Sequence, residues 1–228
     1  MVSFIFTPPA TPSVAIEGNG VRFPVRRIFC VGRNYADHAR EMGKDPDREP
    51  PFFFTKPADA VCDSGSRIPY PPLTSNLHHE VELVVAIGSE ARNIPVEEAL
   101  SCIWGYGVGI DLTRRDLQLQ ARDLGRPWDW GKAFDMSAPC GPLRKADFGY
   151  LQSAQIRLEV NGSTRQEASL NELIWSVPEI VSLCSASVVL QPGDLIFTGT
   201  PAGVSAITKG DRLVGSIDGL PDVTIDIA

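Results

Sequence analysis

The chain has 228 residues, a formal net charge of -7 and a pI near 5.0. This acidic balance does not favour a nucleic-acid partner or an anionic membrane. Five cysteines stand far apart without a CxxC pair, which argues against both a disulfide framework and a zinc site. No apolar run approaches the roughly 20 residues that span a bilayer. The sequence therefore predicts a soluble, cytoplasmic protein.

The predicted elements are mostly short apolar strands, with a few helices between them. The strands are expected, in chain order, at residues 21–25, 28–31, 52–54, 83–87, 156–160, 195–197, 213–214 and 223–227. The helices are expected at residues 35–42, 95–100, 114–124 and 170–183, with Pro178 within or dividing the last. Asn161-Gly162 predicts a hairpin turn, and the proline-rich residues 44–51 predict a lid-like loop.

The balance of elements indicates the fold class. Because strands outnumber helices, we expect an α+β fold built on a mixed, curved β-sheet with few short helices. Residues 1–24 are expected to form a short N-terminal leader, and residues 25–228 a single domain. A domain of this length can bury a substantial core.

Two carboxylates stand two residues apart at the start of an apolar run, HHEVELVVAI from His78 to Ile87. Side chains at i and i+2 of a strand project to the same side, so Glu80 and Glu82 would lie together. Two neighbouring buried anions are costly unless a cation lies between them, and oxygen ligands favour Mg²⁺, Mn²⁺ or Ca²⁺ over Zn²⁺. The alternative is an edge strand whose glutamates face water.

Asp111 is the best candidate for a third oxygen ligand. It ends the run WGYGVGID, in which Gly105, Gly107 and Gly109 would share its face of a strand. Glycine within a strand usually marks the close approach of a ligand or of another backbone. The alternative is a glycine-rich strand that packs tightly against a helix, with Asp111 capping the helix that follows.

Two further sets of residues are candidates for proton transfer and for positive charge. His38 and Glu41 stand three residues apart on a predicted helix and share one face, and a carboxylate can hold an imidazole in the tautomer that takes a proton from water. Lys132 lies among aromatic residues, where burial and nearby charge can tune it. The alternatives are an exposed helix pair and a lysine whose ammonium reaches water.

Six blocks of the sequence resemble the fumarylacetoacetate hydrolase family, and most closely its short bacterial branch of fumarylpyruvate hydrolases and acylpyruvases. The blocks are GRNYADHAREM (32–42), FFFTKPADAV (52–61), HHEVELVVAIG (78–88), GYGVGIDLTRRDLQ (105–118), WGKAFD (130–135) and FTGTPAGV (197–204). They extend over nearly the whole chain from Val25 onwards. The resemblance implies the roll or sandwich of that family's C-terminal domain for residues 25–228, and a homodimer.

The resemblance also implies a set of site residues. The implied ligands of Mg²⁺ or Mn²⁺, with Ca²⁺ able to substitute, are Glu80, Glu82 and Asp111. The implied catalytic residues, a water-activating pair and a lysine that stabilises negative charge, are His38, Glu41 and Lys132. The implied substrate-binding residues are Arg115, Gln118, Gly199 and Thr200. Lys56 lies in one of the matching blocks, but the resemblance assigns it no role.

The implied activity is hydrolysis of the C–C bond of a small anionic 2,4-dioxo acid, fumarylpyruvate or a related acylpyruvate, to pyruvate and a carboxylic acid. His38, oriented by Glu41, would activate the attacking water, and Lys132 would stabilise the oxyanion. An oxaloacetate decarboxylase or a keto–enol isomerase on the same site is the alternative. A non-catalytic metal protein is the third interpretation, but it leaves the water-activating pair and the lysine unexplained.

Overall fold

The structure is a computed structural model of the chain, and it describes residues 3–37 and 49–228. The strands in these ranges are, in chain order, Ser13–Ile16 (β1), Asn19–Pro24 (β2), Arg27–Gly32 (β3), Phe52–Lys56 (β4), Val61–Asp63 (β5), Ser66–Ile68 (β6), Leu77–His78 (β7), Val81–Ile87 (β8), Ile103–Ile110 (β9), Thr113–Arg114 (β10), Ala138–Cys140 (β11), Arg144–Lys145 (β12), Gln155–Val160 (β13), Ser163–Ser169 (β14), Asp194–Phe197 (β15), Ala206–Ile207 (β16), Arg212–Ile217 (β17) and Val223–Ile227 (β18).

Helices are short and few in the same ranges. The α-helices are Arg115–Asp123 (α1), Asp129–Lys132 (α2) and Val177–Ser187 (α3). The 3₁₀ helices are Ala58–Ala60, Val96–Cys102, Ala146–Phe148 and Leu170–Glu172. None of the helices in the described part of the chain combines the length and the apolar character needed to cross a bilayer.

Two mixed sheets form the body of the fold. The larger sheet has the strand order β4-β3-β15-β8-β9-β11-β5, with β12 added to β9, and the smaller one has the order β14-β13-β17-β18-β6. Parallel pairs, β3–β15, β5–β11 and β6–β18, occur beside antiparallel pairs such as β8–β9. This arrangement with few helices confirms the predicted α+β fold.

The alternation of side chains on β8 explains where the core and the acidic residues lie. Odd-numbered residues 83–87 belong to the main core, together with apolar residues of β13, β17 and β18. Val84 and Ala86 point to the other side, into a second core cluster that contains Phe197. Glu82 shares that second side because strand side chains alternate. A carboxylate is therefore placed at the end of an apolar cluster.

Residues 13–24 of the predicted leader form the hairpin β1–β2. Val14 and Phe23 are buried in the second core cluster, beside residues of β3 and β15. The hairpin also pairs with the rest of the chain, because the N–H of Leu143 donates to the carbonyl of Ala15 at 2.8 Å. The division of the chain at residue 24 stays a prediction.

Most predicted strands and the helix over residues 114–124 are confirmed within about two residues. The hairpin β13–β14 turns at Asn161-Gly162, where both residues have positive φ, 51° and 76°. A two-residue turn of this kind needs positive φ at both positions, which is why Asn-Gly favours it. Of the predicted helix over residues 35–42, the structure describes Ala36 and Asp37 as helical. The remainder, with residues 44–48 of the predicted loop, lies outside the described residues.

Two predicted helices differ from the structure. Residues 96–102 form a 3₁₀ helix rather than an α-helix. The single helix over residues 170–183 is wrong, because a 3₁₀ turn and α3 are separate elements. Ser176 is the N-cap of α3, and the carboxylate of Glu179 accepts from its N–H at 2.9 Å in a capping box. Pro178 then lies in the first turn, where a missing N–H costs nothing.

Gly109 faces Glu82 across the β8–β9 ladder and shows what the glycine-rich strand approaches. A Cβ at this position would lie 2.5 Å from Phe197 Cε1 and 2.6 Å from Val84 Cγ2. The close approach is therefore to side chains of the second core cluster. The alternative interpretation, packing of this glycine against a helix, is wrong.

We expect Gly109→Ala to lower the free energy of unfolding by about 1–3 kcal/mol, because a methyl group would overpack the core here. Urea denaturation of the metal-free protein measures the change. Gly20→Ala is the matched control, since nothing lies within 4 Å of a Cβ at that position. Equal losses in the two variants would contradict this account of Gly109.

Candidate active site

Glu80, Glu82 and Asp111 meet in a buried acidic cluster. One carboxylate oxygen from each lies within 4.8 Å of the others, and the residues are 5%, 2% and 0% exposed. Glu82 lies on β8, which is paired on both sides by β15 and β9, so the edge-strand alternative is wrong. Asp111 directly follows β9. The N-cap of α1 is Arg114 and has no side-chain cap, so Asp111 does not cap that helix.

Glu82 is the electrostatically costly member of the acidic cluster. Burial, and after it the charges of Asp111 and Glu80, raise the pKa of Glu82 well above its usual value. Asp111 Oδ1 accepts no aligned hydrogen bond within the described residues. Three buried carboxylates that each offer an oxygen ligand fit a hard divalent cation such as Mg²⁺ or Mn²⁺.

Lys132, at the end of α2, reaches into the acidic cluster. Its Nζ donates to three oxygens, Glu80 Oε2 at 2.7 Å, Asp111 Oδ2 at 2.6 Å and Thr113 Oγ1 at 2.7 Å. Burial opposes the charge of Lys132, but the two carboxylates outweigh it and raise its pKa, so the ammonium stays charged. Lys132 is 2% exposed, and the alternative in which its ammonium reaches water is wrong.

A second lysine, Lys56, holds the other side of Asp111. Its Nζ lies 2.8 Å from Asp111 Oδ1 and donates to the carbonyl of Leu112 at 3.1 Å and to the carbonyl of Lys132. Lys56 is the last residue of β4, and its side chain is fully buried. The contacts give Lys56 a role that the sequence did not predict, as a counter-charge to Asp111 at the carboxylate oxygen that Lys132 Nζ does not bind.

Arg115 and Gln118 lie on one face of α1, three residues apart, and both are buried. Arg115 Nη2 pairs with Glu80 Oε1, and its Nη1 donates to Gln118 Oε1. Arg115 Nε lies 3.4 Å from His78 Nδ1, and burial followed by this guanidinium lowers the pKa of His78 to about 4. His78 is therefore neutral at pH 7 and lies beside the acidic cluster rather than in it.

The turn after β15 brings Gly199 and Thr200 to the acidic cluster. The N–H of Gly199 donates to Glu82 Oε2 at 2.7 Å. Gly199 has a φ of +99°, and a Cβ there would lie 2.7 Å from Asn34 Cβ, so both conformation and space require glycine. Thr200 is buried next to it, and its hydroxyl accepts a hydrogen bond from Gln166.

A cavity of about 150 Å³ opens onto these groups. Its wall includes Glu80, Glu82, Arg115, Gln118, Lys132 and Thr200, together with Arg33, Phe54 and Trp128. Asp111 and Gly199 do not line the cavity themselves, but they form hydrogen bonds with Lys132 and Glu82, which do. The structure thus brings together every predicted site residue that it describes. His38 and Glu41 lie outside the described residues, and their positions stay predictions.

Gln166 is the residue near the site that sequence reasoning missed. It is the one fully buried residue of β14, and its Nε2 donates to Thr200 Oγ1 and to the carbonyl of Pro201, each at 2.8 Å. Its Oε1 lies 2.9 Å from Nδ1 of His79, whose pKa is lowered by burial. Nothing in the polar run STRQEAS marks Gln166 as different from its neighbours, because its partners come from distant segments.

Comparisons with known proteins agree with this site. A family model described as "Fumarylacetoacetate (FAA) hydrolase C-terminal" matches residues 27–228. The "Fumarylpyruvate hydrolase" of Ralstonia sp is 43% identical over 188 residues, which are 82% of this chain and 98% of that protein. The "Oxaloacetate tautomerase YcgM" of Escherichia coli is 39% identical over 205 residues, 89% of this chain and 93% of that protein.

Solved structures are similar over almost the whole chain. The fumarylpyruvate hydrolase of Pseudomonas aeruginosa, in complex with Mn²⁺ and pyruvate, has a TM-score of 0.97 at 53% identity and covers 99% of both chains. The 5-carboxymethyl-2-hydroxymuconate delta-isomerase of Mycobacterium smegmatis has a TM-score of 0.81 at 34% identity, covering 91% of this chain and 80% of that one. The first of these structures holds Mn²⁺, and the three carboxylates of the acidic cluster offer the oxygen ligands that this ion binds. The match over residues 27–228 shows that the chain belongs to the fumarylacetoacetate hydrolase family of enzymes, as the six sequence blocks predicted.

Proposed function

We propose that the chain is a divalent-metal-dependent hydrolase that cleaves the C–C bond of a 2,4-dioxo acid, fumarylpyruvate or a related acylpyruvate. The products are pyruvate and a carboxylic acid. The observation that carries this proposal is the acidic cluster at a cavity whose wall also holds Lys132 and Arg115. The fumarylpyruvate hydrolase relatives of Ralstonia and Pseudomonas support the choice of substrate.

The charges around the cavity suit an anionic substrate. Lys56, Lys132 and Arg115 each form an ion pair with a carboxylate of the acidic cluster. These three cations balance the three carboxylates, so a bound divalent ion leaves the site with a net positive charge. Such a site attracts a dianion with a 2-oxo carboxylate at one end, and low local dielectric strengthens the attraction.

The residues of the chain have separate tasks in this proposal. His38, oriented by Glu41, takes a proton from the water that attacks the 4-oxo carbon. Lys132 Nζ stabilises the oxyanion that forms there. The bond between C3 and C4 then breaks, C4 leaves as the carboxylic acid, and C3 takes the electron pair and a proton to become the methyl group of pyruvate. A divalent ion, when bound, supplies a Lewis acid for the 2-oxo acid.

The remaining predicted residues hold the substrate. Arg115 and Gln118 come from one face of α1 and border the cavity beside Glu80. Thr200, in the turn after β15, also borders the cavity, and the N–H of the neighbouring Gly199 donates to Glu82. Donors from two separate elements can hold the carboxylate end while the acyl end extends toward the open side of the cavity.

A second candidate function is tautomerisation or decarboxylation of oxaloacetate on the same site. The Escherichia coli relative named as an oxaloacetate tautomerase favours it. Neither reaction requires an activated water, so neither depends on the pair of His38 and Glu41. A non-catalytic metal protein explains the acidic cluster but gives no reason for Lys132 and Arg115 at the cavity.

The direct test is an assay of a panel of 2,4-dioxo acids and oxaloacetate with Mg²⁺ or Mn²⁺. We expect acylpyruvates to be cleaved to pyruvate, the activity to disappear on chelation and to return when the metal is restored. Tautomerisation of oxaloacetate without cleavage of any acylpyruvate would contradict the proposed hydrolase. The predicted homodimer is tested on the same preparation by its mass in solution, and the predicted cytoplasmic location stays a prediction.

His38→Ala separates the two candidate functions. We expect cleavage of acylpyruvates to fall by about 10²–10⁴-fold, because general-base catalysis contributes a factor of this size. Tautomerisation of oxaloacetate should persist, since it needs no attacking water. Both rates are measured on one preparation, so the second serves as the internal control for folding and metal loading. Full acylpyruvate hydrolysis by His38→Ala would show that His38 is not the base.

A further inference from the structure

The amide of Gln166 has one orientation only. Its Oε1 accepts from the backbone N–H of Val81 at 3.1 Å, and its Nε2 donates to the backbone carbonyl of Pro201 at 2.8 Å. A backbone N–H can only donate and a carbonyl oxygen can only accept, so the two contacts identify which end is oxygen and which is nitrogen. Gln166 is almost fully buried.

This orientation determines the direction of the Thr200 hydroxyl. The same Nε2 donates its second hydrogen to Thr200 Oγ1 at 2.8 Å. A hydroxyl that accepts a hydrogen bond from an amide must turn its own proton elsewhere. Thr200 is buried and borders the cavity, and no group in the described ranges accepts that proton. The proton is therefore available to a molecule in the cavity.

His79 extends the same directed chain of hydrogen bonds. The Oε1 of Gln166 can only accept, so His79 Nδ1 carries a hydrogen and donates to it at 2.9 Å. The opposite nitrogen, Nε2, must then accept from the hydroxyl of Ser205 at 2.9 Å. The chain runs from Ser205 through His79 and Gln166 to Thr200. Hydrogen bonds aligned in one direction polarise one another, which strengthens the last donor.

We propose that Gln166 is a positioning residue that makes the Thr200 hydroxyl a dedicated hydrogen-bond donor to the carboxylate of a 2-oxo acid. A carboxylate accepts and never donates, so a hydroxyl held in this direction distinguishes it from a neutral or donating group. The inference rests on the proposed function for the class of ligand, and it adds a residue from β14 that contacts no substrate. In this inference Gln166 affects the ligand by directing the Thr200 hydroxyl, which it contacts at 2.8 Å.

A double-mutant cycle between Gln166 and Thr200 tests the inference. The probe is pyruvate, whose dissociation constant is measured by calorimetry on the Mn²⁺-loaded protein. We expect Thr200→Val and Gln166→Met each to weaken binding by roughly tenfold to a hundredfold, the range for a hydrogen bond to a charged group. The double variant should bind no more weakly than Thr200→Val, because the two residues act as one unit. Thr200→Ser, which keeps the hydroxyl, should bind like the wild type.

Gln166→Glu, which replaces the side chain by one of the same shape, is an independent test of how Gln166 orients the Thr200 hydroxyl. A carboxylate at position 166 only accepts, so Thr200 would turn its proton toward it and away from the cavity. Pyruvate binding should then weaken at least as much as in Thr200→Val. Gln155→Met is the matched control, because Gln155 is exposed on the neighbouring strand β13. Its binding should equal that of the wild type.

Several results would overturn the inference. One is a double variant that loses the product of the two single factors, since Gln166 would then act independently of Thr200. Others are Gln166→Met or Gln166→Glu with wild-type pyruvate affinity, or a wild-type protein that binds no pyruvate with Mn²⁺. If the cycle is non-additive while no acylpyruvate is cleaved, the inference stands and the proposed function fails. The two failures are therefore distinguishable.

Discussion

Glu82→Gln is expected to stabilise the metal-free protein while it destroys the metal site. One oxygen of each of the three carboxylates lies within 4.8 Å of the others, and burial, followed by the charges of Asp111 and Glu80, raises the pKa of Glu82. A neutral amide removes the repulsion by these charges. Its carbonyl oxygen can still accept from the N–H of Gly199, which now donates to Glu82 Oε2 at 2.7 Å. Binding of Mn²⁺ should weaken by more than roughly a hundredfold, because a charged ligand is lost.

The raised pKa of Glu82 also makes the stability of the metal-free protein depend on pH. Because the folded pKa of Glu82 lies above its usual value of 4.5, the folded chain holds a proton that the unfolded chain has released. The contribution of Glu82 to the stability of the metal-free wild type is therefore fully present below about pH 4.5 and is lost as the pH rises toward the raised pKa. The loss approaches about 1.4 kcal/mol per pH unit in that interval. Glu82→Gln lacks this dependence.

Thermal unfolding with a chelator, from pH 4.5 to 8, measures the difference between Glu82→Gln and the wild type. Glu97→Gln is the matched control, since Glu97 is exposed in a 3₁₀ helix and is not part of the acidic cluster. Addition of Mn²⁺ should reverse the order and make the wild type the more stable protein, because metal binding favours the deprotonated carboxylate. A metal-free Glu82→Gln that is less stable than the wild type at pH 8 would show that repulsion does not dominate the acidic cluster.

The features of the site that could be predicted are those with a local period or a contiguous motif. Glu80 and Glu82 are two residues apart, and the alternation of a strand alone places them on one side. The strand itself is recognisable from its apolar run. Asp111 required a further step, because its meeting with the other two depends on the pairing of β8 with β9. The glycine-rich run before Asp111 was the feature of the sequence that indicated this residue as the third ligand.

The features that could not be predicted depend on contacts between distant segments. Lys56 meets Asp111 only because the end of β4 lies against the turn after β9. Gln166 forms a hydrogen bond with Val81, which is 85 residues away in the sequence, and no pattern in β14 predicts that contact. The start of α3 is a different case. Ser176 and Glu179 form a capping box that can be recognised in the sequence, but the predicted helix over residues 170–183 did not take it into account.

Lys132→Met is expected to have opposite effects on metal binding and on catalysis. Lys132 Nζ donates to Glu80 and Asp111, so its removal leaves the acidic cluster more negative, and Mn²⁺ should bind more tightly. The rate of acylpyruvate cleavage should nevertheless fall by about 10²–10³-fold, the usual cost of losing an oxyanion donor. Both carboxylates keep a cationic partner, Arg115 for one and Lys56 for the other. The free energy of unfolding of the metal-free protein should therefore fall by less than about 3–5 kcal/mol, the cost of leaving a buried charge unpaired.

Lys56→Met provides the comparison that isolates catalysis from charge. Lys56 also contacts the acidic cluster, but Lys132 borders the cavity and Lys56 does not. Both variants should bind Mn²⁺ more tightly, whereas the rate should fall much further in Lys132→Met. Lys145→Met, at an exposed lysine on β12, controls for the loss of a positive charge alone. A group at the reacting atoms should lower the rate when it is removed even though Mn²⁺ binds more tightly. Equal rate losses in the two buried variants, or weaker Mn²⁺ binding in Lys132→Met, would therefore show that Lys132 is a structural counter-ion.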